Sequence, residues 1–285
     1  MTCLYCKSKN NSIFWNKSIY KIYKCSDCDF FFTLPEITEK HDKELFSEAY
    51  YKGDLDNLGY VDYEADKLFL KKSFDKRLRW LKNILPADGD WLDFGCALGF
   101  GLEVIKDYGF NPYGIDRIQF AVDYAKNRLG FKEVYCGNLV SECFKENKFD
   151  IISFFDVLAL TKYPLKILDD VANYIKDGGY LVIDDWDPYS FTAGITNDKW
   201  HAVAPPNRMF YLSEKFLKYF LQERGFSFVA KKKFGKFINF EALFIKLGFN
   251  GKMIDKINFF KKLGIYINLM DLNLYVFTKY FHFLK

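Results

Sequence analysis

The sequence predicts an α/β protein, built on a doubly wound and mainly parallel sheet with a small metal-binding module in front of it. Three observations lead there. Strand-like and helix-like segments alternate from Trp91 to Trp186. The first of those strands runs straight into a glycine-rich turn, "WLDFGCALGFG", from Trp91 to Gly101. Two C-x-x-C pairs stand near the N-terminus.

The N-terminal module comes first. "CLYC" holds Cys3 and Cys6, and "CSDC" holds Cys25 and Cys28, with 18 residues between the pairs. A C-x-x-C turn offers two thiolates to one metal, and two such turns complete a tetrahedral sulfur shell around Zn2+. The aromatic and β-branched stretch between them reads as a hairpin. Four protein ligands leave no open coordination position, so the expected zinc is structural. It would let residues 1–34 fold where so short a segment could hardly do so alone. A redox dithiol pair would need a thioredoxin-like context, which the sequence lacks.

Residues 35–88 read as a helical connector and cap. "SEAYYKGD" lies in its charged first part, and Leu68, Leu70, Phe74, Leu78 and Leu81 recur near helical spacing before Pro86 and Gly89 stop the helix. Residues 89–285 form the main domain. "WLDFG", "NPYGID", "KEVYCGN", "FDIISFFDVL" and "YLVIDDW" are its first five strands, with helices between them closed by Gly109, Gly130 and the pair Gly178–Gly179. Pro164 suits the first turn of one helix and Ser213 the N-cap of another. "FSFVAKKK" and "LNLYVFTKY" supply a sixth and a seventh strand, separated by an amphipathic helical insertion at 236–263.

Composition sets bounds. Half of the 285 residues are hydrophobic, so a sizeable core can form. No run of about 18 uncharged apolar residues suggests a membrane span. The N-terminus has no signal pattern, so a cytoplasmic protein with reduced cysteines is expected. Cys96, Cys136 and Cys143 read as small buried hydrophobes. The net charge is +4, with 35 lysines against 6 arginines. Arginine forks would be favoured for nucleic acid, which is therefore not the expected partner.

The glycine turn carries the chemistry. It reads D-x-G-x-A-x-G, not the G-x-G-x-x-G that brings helix amides to a pyrophosphate. Asp93 at the strand end is electrostatically wrong for a pyrophosphate and right for S-adenosyl-L-methionine, which carries an ammonium and a sulfonium. Gly95, Ala97 and Gly99 would shape the turn, with Ala97 its soft point. A left-handed backbone there would cost the methyl about 1–2 kcal/mol. Asp116 ends the second strand, 21 residues after Gly95, where a carboxylate binds ribose hydroxyls. Asn138 offers an amide to an adenine edge, and Phe155 and Asp156 end the fourth strand. Each residue also has a plain structural reading: a helix cap for Asp93, turn residues for Asp116 and Asn138, a core position for Phe155.

On these residues the chain resembles class I S-adenosylmethionine-dependent methyltransferases, in the branch with an N-terminal zinc-binding knuckle. The resemblance covers most of the chain. It rests on "CLYC"/"CSDC", "LDFGCALG", "YGID", "CGNL", "FDIISFFDVL", "IKDGGYLVI" and "WHAVAPPNRMFYLS". It implies a seven-stranded Rossmann-like methyltransferase sheet and a small-molecule acceptor such as a sugar, sugar nucleotide, quinone-like ring or phosphorylated metabolite, in surface-glycan synthesis for the sugar branch. Relatives often carry an acid–histidine pair after the fourth strand, where Ala159 and Leu160 stand here, and a histidine where this chain has Arg208. His201 is then the best candidate base, with Asp185 among the acids after the fifth strand as the alternative. Trp200, Arg208 and Tyr211 would line the acceptor side, Arg208 facing a phosphate or carboxylate. An RNA methyltransferase using the zinc module to hold RNA, and a non-catalytic cofactor-binding scaffold, are the competing readings. The lysines and aromatics of 236–263 fit a lid or dimer contact better than a membrane-surface face.

Overall fold

The computed structural model describes residues 1–52, 62–145, 148–240 and 263–280. Three strands open the chain: β1 (Asn11–Lys17), β2 (Tyr20–Cys25) and β3 (Phe30–Leu34). Helices α1 (Glu39–Leu45), α2 (Ala49–Lys52) and α3 (Lys67–Leu81) follow. The alternating region holds β4 (Asp90–Phe94), α4 (Phe100–Asp107), β5 (Asn111–Asp116), α5 (Gln119–Asn127), β6 (Val134–Cys136), α6 (Val140–Cys143), β7 (Phe149–Phe155), α7 (Pro164–Ala172) and β8 (Ile175–Trp186). Then come α8 (Phe191–Thr196), β9 (Phe210–Leu212), α9 (Glu214–Gln222), β10 (Phe226–Asn239) and β11 (Gly264–Lys279).

The main sheet has seven strands in the order β10-β11-β8-β7-β4-β5-β6. From β6 to β8 all pairings are parallel, while β11 runs antiparallel to both β8 and β10. The sheet is therefore mixed at one edge. Strand order reverses beside β4, so the chain opens a crevice at the carboxyl ends of β4, β5 and β7.

Side-chain alternation explains why both faces are covered. Leu92 and Phe94 of β4 join Ile152, Phe154, Leu181 and Ile183 on one face, under Leu168 of α7 and Phe216 of α9. Trp91 joins Ile151, Val182 and Val276 on the other, under Leu78 and Leu81 of α3 and Leu102 of α4. The apolar runs in the middle of β7 and at Leu181–Ile183 of β8 follow from burial on both sides.

The N-terminal sheet is not closed within residues 1–34. Its order is β1-β2-β3-β9, with Phe30 opposite Leu212 and Phe31 opposite Tyr211. Phe210–Leu212, beyond the fifth strand read from the sequence, thus supply its fourth strand. Trp15, Ile22 and Phe31 bury themselves against Trp200 and Tyr211. Ser213 caps α9 as expected, accepting from the Phe216 amide, and its hydroxyl donates to Asp29 Oδ2 at 2.7 Å. Pro164 opens α7, also as expected.

The insertion expected at 236–263 starts later. Residues 236–239 continue β10, because Lys236–Asn239 pair with Gly264–Ile267 of β11. Residues 241–262, where the helical part was expected, lie outside the described residues. Among the described residues, no helix is long and apolar enough to cross a membrane.

Candidate active site

A cavity of about 360 Å³ opens at the carboxyl ends of β4, β5, β6 and β7. Its floor is the glycine turn. Gly95, Ala97 and Gly99 all have positive φ, at 79°, 48° and 87°. A Cβ on Gly95 would lie 2.4 Å from Val157 Cγ2, so only glycine fits there. Ala97 has the left-handed backbone on which its cost depended. The Gly95 and Cys96 amides donate to the Ile115 carbonyl at 2.7 and 3.0 Å, and the Ala97 amide to Asp116 Oδ2 at 2.9 Å.

Asp116 lies at the cavity wall, nearly buried. Its Oδ1 accepts from the Ile118 amide at 2.9 Å. Burial pushes its pKa up, against the opposing pull of the Ile118 and Ala97 amides. Asn138, Phe155 and Asp156 line the same cavity. Asp156 accepts from Trp186 Nε1 at 2.9 Å and pairs with Lys236 at 2.6 Å and Arg208 at 2.5 Å. Burial pushes Asp156 up, but Lys236 and Arg208 outweigh it and hold the group below the usual carboxylate range.

The connector roofs the cavity, with Phe46, Tyr50, Tyr51 and Tyr63 facing in. Two ties hold α1 across it. Asp42 takes a two-pronged ion pair from Arg117, the residue after Asp116. Glu39 takes Lys162 Nζ at 2.5 Å and the Tyr163 hydroxyl at 2.9 Å. Tyr63 stacks on Phe100 at the start of α4, with ring centroids 5.6 Å apart.

Six of the eight residues expected around a cofactor therefore converge: Gly95, Ala97, Asp116, Asn138, Phe155 and Asp156. Asp93 and Gly99 do not reach the wall. Asp93 shares the Trp91 face of β4 and lies under the turn, where Ser153 Oγ donates to its Oδ1 at 2.7 Å and Trp91 Nε1 donates to that same hydroxyl at 2.8 Å. Burial raises its pKa to about 7, Ser153 pulls it down and the charge of Asp116 adds to the rise. Asp93 thus sits in the layer beneath the turn and not on the cavity wall. Gly99 leads into α4, and a Cβ there would crowd Ala125 at 3.1 Å.

The expected acceptor-side residues form a separate group. Asp185 is buried, takes Arg208 Nη1 at 2.5 Å and is pushed up to about 6 by burial, against the pull of Arg208. Neither side chain lines the cavity. Arg208 is committed to Asp185 and Asp156 rather than open to an acceptor, and Asp185 is sealed off from one. The reason is packing: Arg208 leads into β9, whose strand closes the N-terminal sheet. Trp200 and Tyr211 are also core residues, Trp200 Nε1 donating to Asp271 at 2.9 Å and the Tyr211 hydroxyl to the Ala202 carbonyl at 3.0 Å. His201 is half-exposed outside the cavity wall. Its Nδ1 lies 3.8 Å from Asp271 Oδ2 and its ring 4.5 Å from that of Trp186. Tyr51, Arg117, Lys236 and Asp271 were not singled out by the sequence. The aromatic pair in "SEAYYKGD", inside a charged connector, was the one available signal for Tyr51.

Outside the cavity wall, the Sγ atoms of Cys3, Cys6, Cys25 and Cys28 lie within 4.8 Å of one another. Cys3 and Cys28 are 3.7 Å apart and Cys6 and Cys25 3.6 Å. A tetrahedral ion with bonds of about 2.3 Å separates its sulfurs by roughly 3.8 Å, so the cluster has the size of a four-thiolate metal site.

The mixed seven-stranded sheet, with its glycine turn and strand-end acid around one crevice, defines the Rossmann-like methyltransferase class of fold. A family model described as a methyltransferase domain matches residues 64–231, and the chain belongs to that family. Among solved structures, a magnesium protoporphyrin IX methyltransferase from Synechocystis with bound SAH superposes with a TM-score of 0.51 at 15% identity, covering 80% of this chain and 91% of that one. A SAM-dependent methyltransferase from Archaeoglobus fulgidus gives 0.53 at 17% identity, covering 75% and 97%. Among curated proteins, a ubiquinone biosynthesis O-methyltransferase of Coxiella burnetii is 26% identical over 110 residues, 37% of this chain and 47% of that protein. An uncharacterized protein of Methanocaldococcus jannaschii is 31% identical over 122 residues, 42% of this chain and 47% of that protein. The chain spans about half the length of the curated relatives it matches.

Proposed function

We propose that the protein transfers a methyl group from S-adenosyl-L-methionine to a small-molecule acceptor. The observation that carries this is the convergence of Gly95, Ala97, Asp116, Asn138, Phe155 and Asp156 on one cavity of about 360 Å³. The site fits the cofactor by its chemistry. The turn packs so closely on Val157 that a Cβ on Gly95 would strike its Cγ2 at 2.4 Å, so only glycine lets the backbone follow the cavity floor. Asp116 offers a carboxylate to a ribose, and Asn138 an amide to a purine edge. The sulfonium supplies a good leaving group, so the chain's task is mainly to hold the two reactants in line and keep water out. Tyr50, Tyr51 and Tyr63 in the roof serve that exclusion.

The acceptor is read as a hydroxyl compound. The named relatives support a small molecule: one is a ubiquinone biosynthesis O-methyltransferase and another acts on magnesium protoporphyrin IX. Among the described residues, no contact in the cavity singles out the sugar or phosphorylated acceptor suggested by the sequence over a phenol. RNA is disfavoured because five of the six arginines are spent on acids of the protein itself. His201 is the base candidate that keeps an exposed imidazole, beside Trp186, whose indole reaches Asp156. The four cysteines hold a structural Zn2+ in this reading, supported by their spacing and mutual distances.

Calorimetry with S-adenosylhomocysteine tests the cofactor reading: no binding at submillimolar ligand would sink it. A mass-shift screen for one added methyl across phenols, sugars, sugar nucleotides and RNA then tests the acceptor class.

A further inference from the structure

We propose that Tyr51, from the connector, is a second polar group of the ribose subsite and acts as a pair with Asp116. The inference rests on the reading of the cavity as the cofactor site. Tyr51 is 6% exposed, lines the cavity and directs its hydroxyl at Asp116 Oδ2 from 3.4 Å. That distance is longer than a good O–H···O bond of about 2.7 Å. The same carboxylate oxygen already takes the Ala97 amide, and its twin takes the Ile118 amide. The phenol is thus the weakest of the partners and the replaceable one.

An ionised carboxylate only accepts, and a phenol beside it has a proton to donate. An alcohol does both, so the pair is complementary to a hydroxyl that donates to Asp116 and accepts from Tyr51. A deoxy position offers neither. The ring is held for this role: Tyr50 and Tyr63 pack edge-on against it at 5.5 and 5.2 Å, and the Tyr63 amide donates to the Tyr51 carbonyl at 3.1 Å. The Asp42–Arg117 pair ties the preceding helix to the residue next to Asp116. Tyr51 is a cofactor-binding residue in this scheme, touching the cofactor and not the acceptor.

The test is calorimetry of the full chain and its Tyr51→Phe variant with S-adenosylhomocysteine and with its 2′-deoxy and 3′-deoxy analogues. Tyr51→Phe keeps the packing ring. It is expected to weaken S-adenosylhomocysteine about 3- to 10-fold, and to leave unchanged the affinity for whichever deoxy analogue lacks the contacted hydroxyl. A double-mutant cycle with Asp116→Asn is expected to show coupling, the second change costing less once the first is made. Equal losses for all three ligands, or no loss, overturn the proposal while wild-type binding leaves the cofactor reading standing. Failure of the wild type to bind S-adenosylhomocysteine overturns both.

Discussion

The backbone amide of Ala97 donates to Asp116 Oδ2 at 2.9 Å, and Ala97 holds that bond with a φ of 48°. The turn and the strand-end acid are therefore one unit. A left-handed alanine costs about 1–2 kcal/mol, and a glycine returns about 0.5–1 kcal/mol of that as lost chain entropy. Ala97→Gly is expected to stabilise the protein by up to about 1 kcal/mol and to bind S-adenosylhomocysteine at least as tightly as wild type. Thermal melts and calorimetry read both. Weaker binding would show that the methyl itself touches the ligand.

Asp116→Asn separates structure from ligand. The side-chain oxygen of asparagine can still take one backbone amide, so the turn should survive. The charge and one acceptor are lost. A hydrogen bond to a charged group contributes about 1.5–3 kcal/mol, so cofactor affinity should fall about 10- to 100-fold with a small change in melting temperature. Unchanged affinity would remove Asp116 from the cofactor site.

Asp93 sets a pH dependence. Burial raises its pKa from 3.8 to about 7, with Ser153 opposing and Asp116 adding to the rise. Between these values the folded state holds a proton that the unfolded state has released. Stability of the ligand-free protein should therefore fall as pH rises from about 4 to about 7, by up to about 1.4 kcal/mol per pH unit from this group. Asp93→Asn should flatten that slope while keeping an acceptor for the Ser153 hydroxyl. Urea titrations at pH 5 and pH 7.5 on both proteins make the comparison, and equal slopes would count against it.

What the sequence disclosed follows from how local each signal is. β4 and its turn were legible because a short apolar strand, three glycines and an acid sit within eleven residues. The cysteine cluster was legible because its spacing is a ligand pattern. The cap at Ser213 and the proline opening α7 were equally local. The placement of the acceptor-side candidates was not legible because it is fixed by non-local pairing. Phe210–Leu212 complete a sheet begun at residue 11, and that drags Tyr211 into the core beside Trp15 and sets Arg208 between buried Asp185 and part-buried Asp156. The face on which Asp93 lies was not legible, since one register step decides whether a strand-end side chain meets the cavity or the layer beneath it. Tyr51 showed only as half of an aromatic pair in a charged connector, because its partner Asp116 is 65 residues away.

The cysteine cluster should be coupled to the main domain. Phe30 packs on Phe216 of α9 at 4.7 Å, and Asp29 takes the Ser213 hydroxyl that caps the helix. Removing the ion with a strong chelator, or replacing Cys25 by serine, should lower the melting temperature of the whole chain and not of residues 1–34 alone. Metal analysis is expected to give one zinc per chain in wild type and substoichiometric zinc in Cys25→Ser. A chelated protein that keeps its full melting temperature would break the link between cluster and fold.

Arg208 offers the sharpest choice between a binding and a structural role. Its guanidinium lies between Asp185 and Asp156 at 2.5 Å from each, and both Arg208 and Asp185 are almost wholly buried. Removing one partner of such a group leaves uncompensated buried charge, which costs about 3–5 kcal/mol. Arg208→Met should therefore destabilise the protein by that order. Adding Asp185→Asn, which removes one of the stranded carboxylates, should recover part of the loss. An acceptor anchor would behave otherwise: the single variant would melt like wild type and raise KM for the acceptor alone. Lys236 still faces Asp156 at 2.6 Å in either variant, so cofactor binding should be retained in the double variant and measured there by calorimetry.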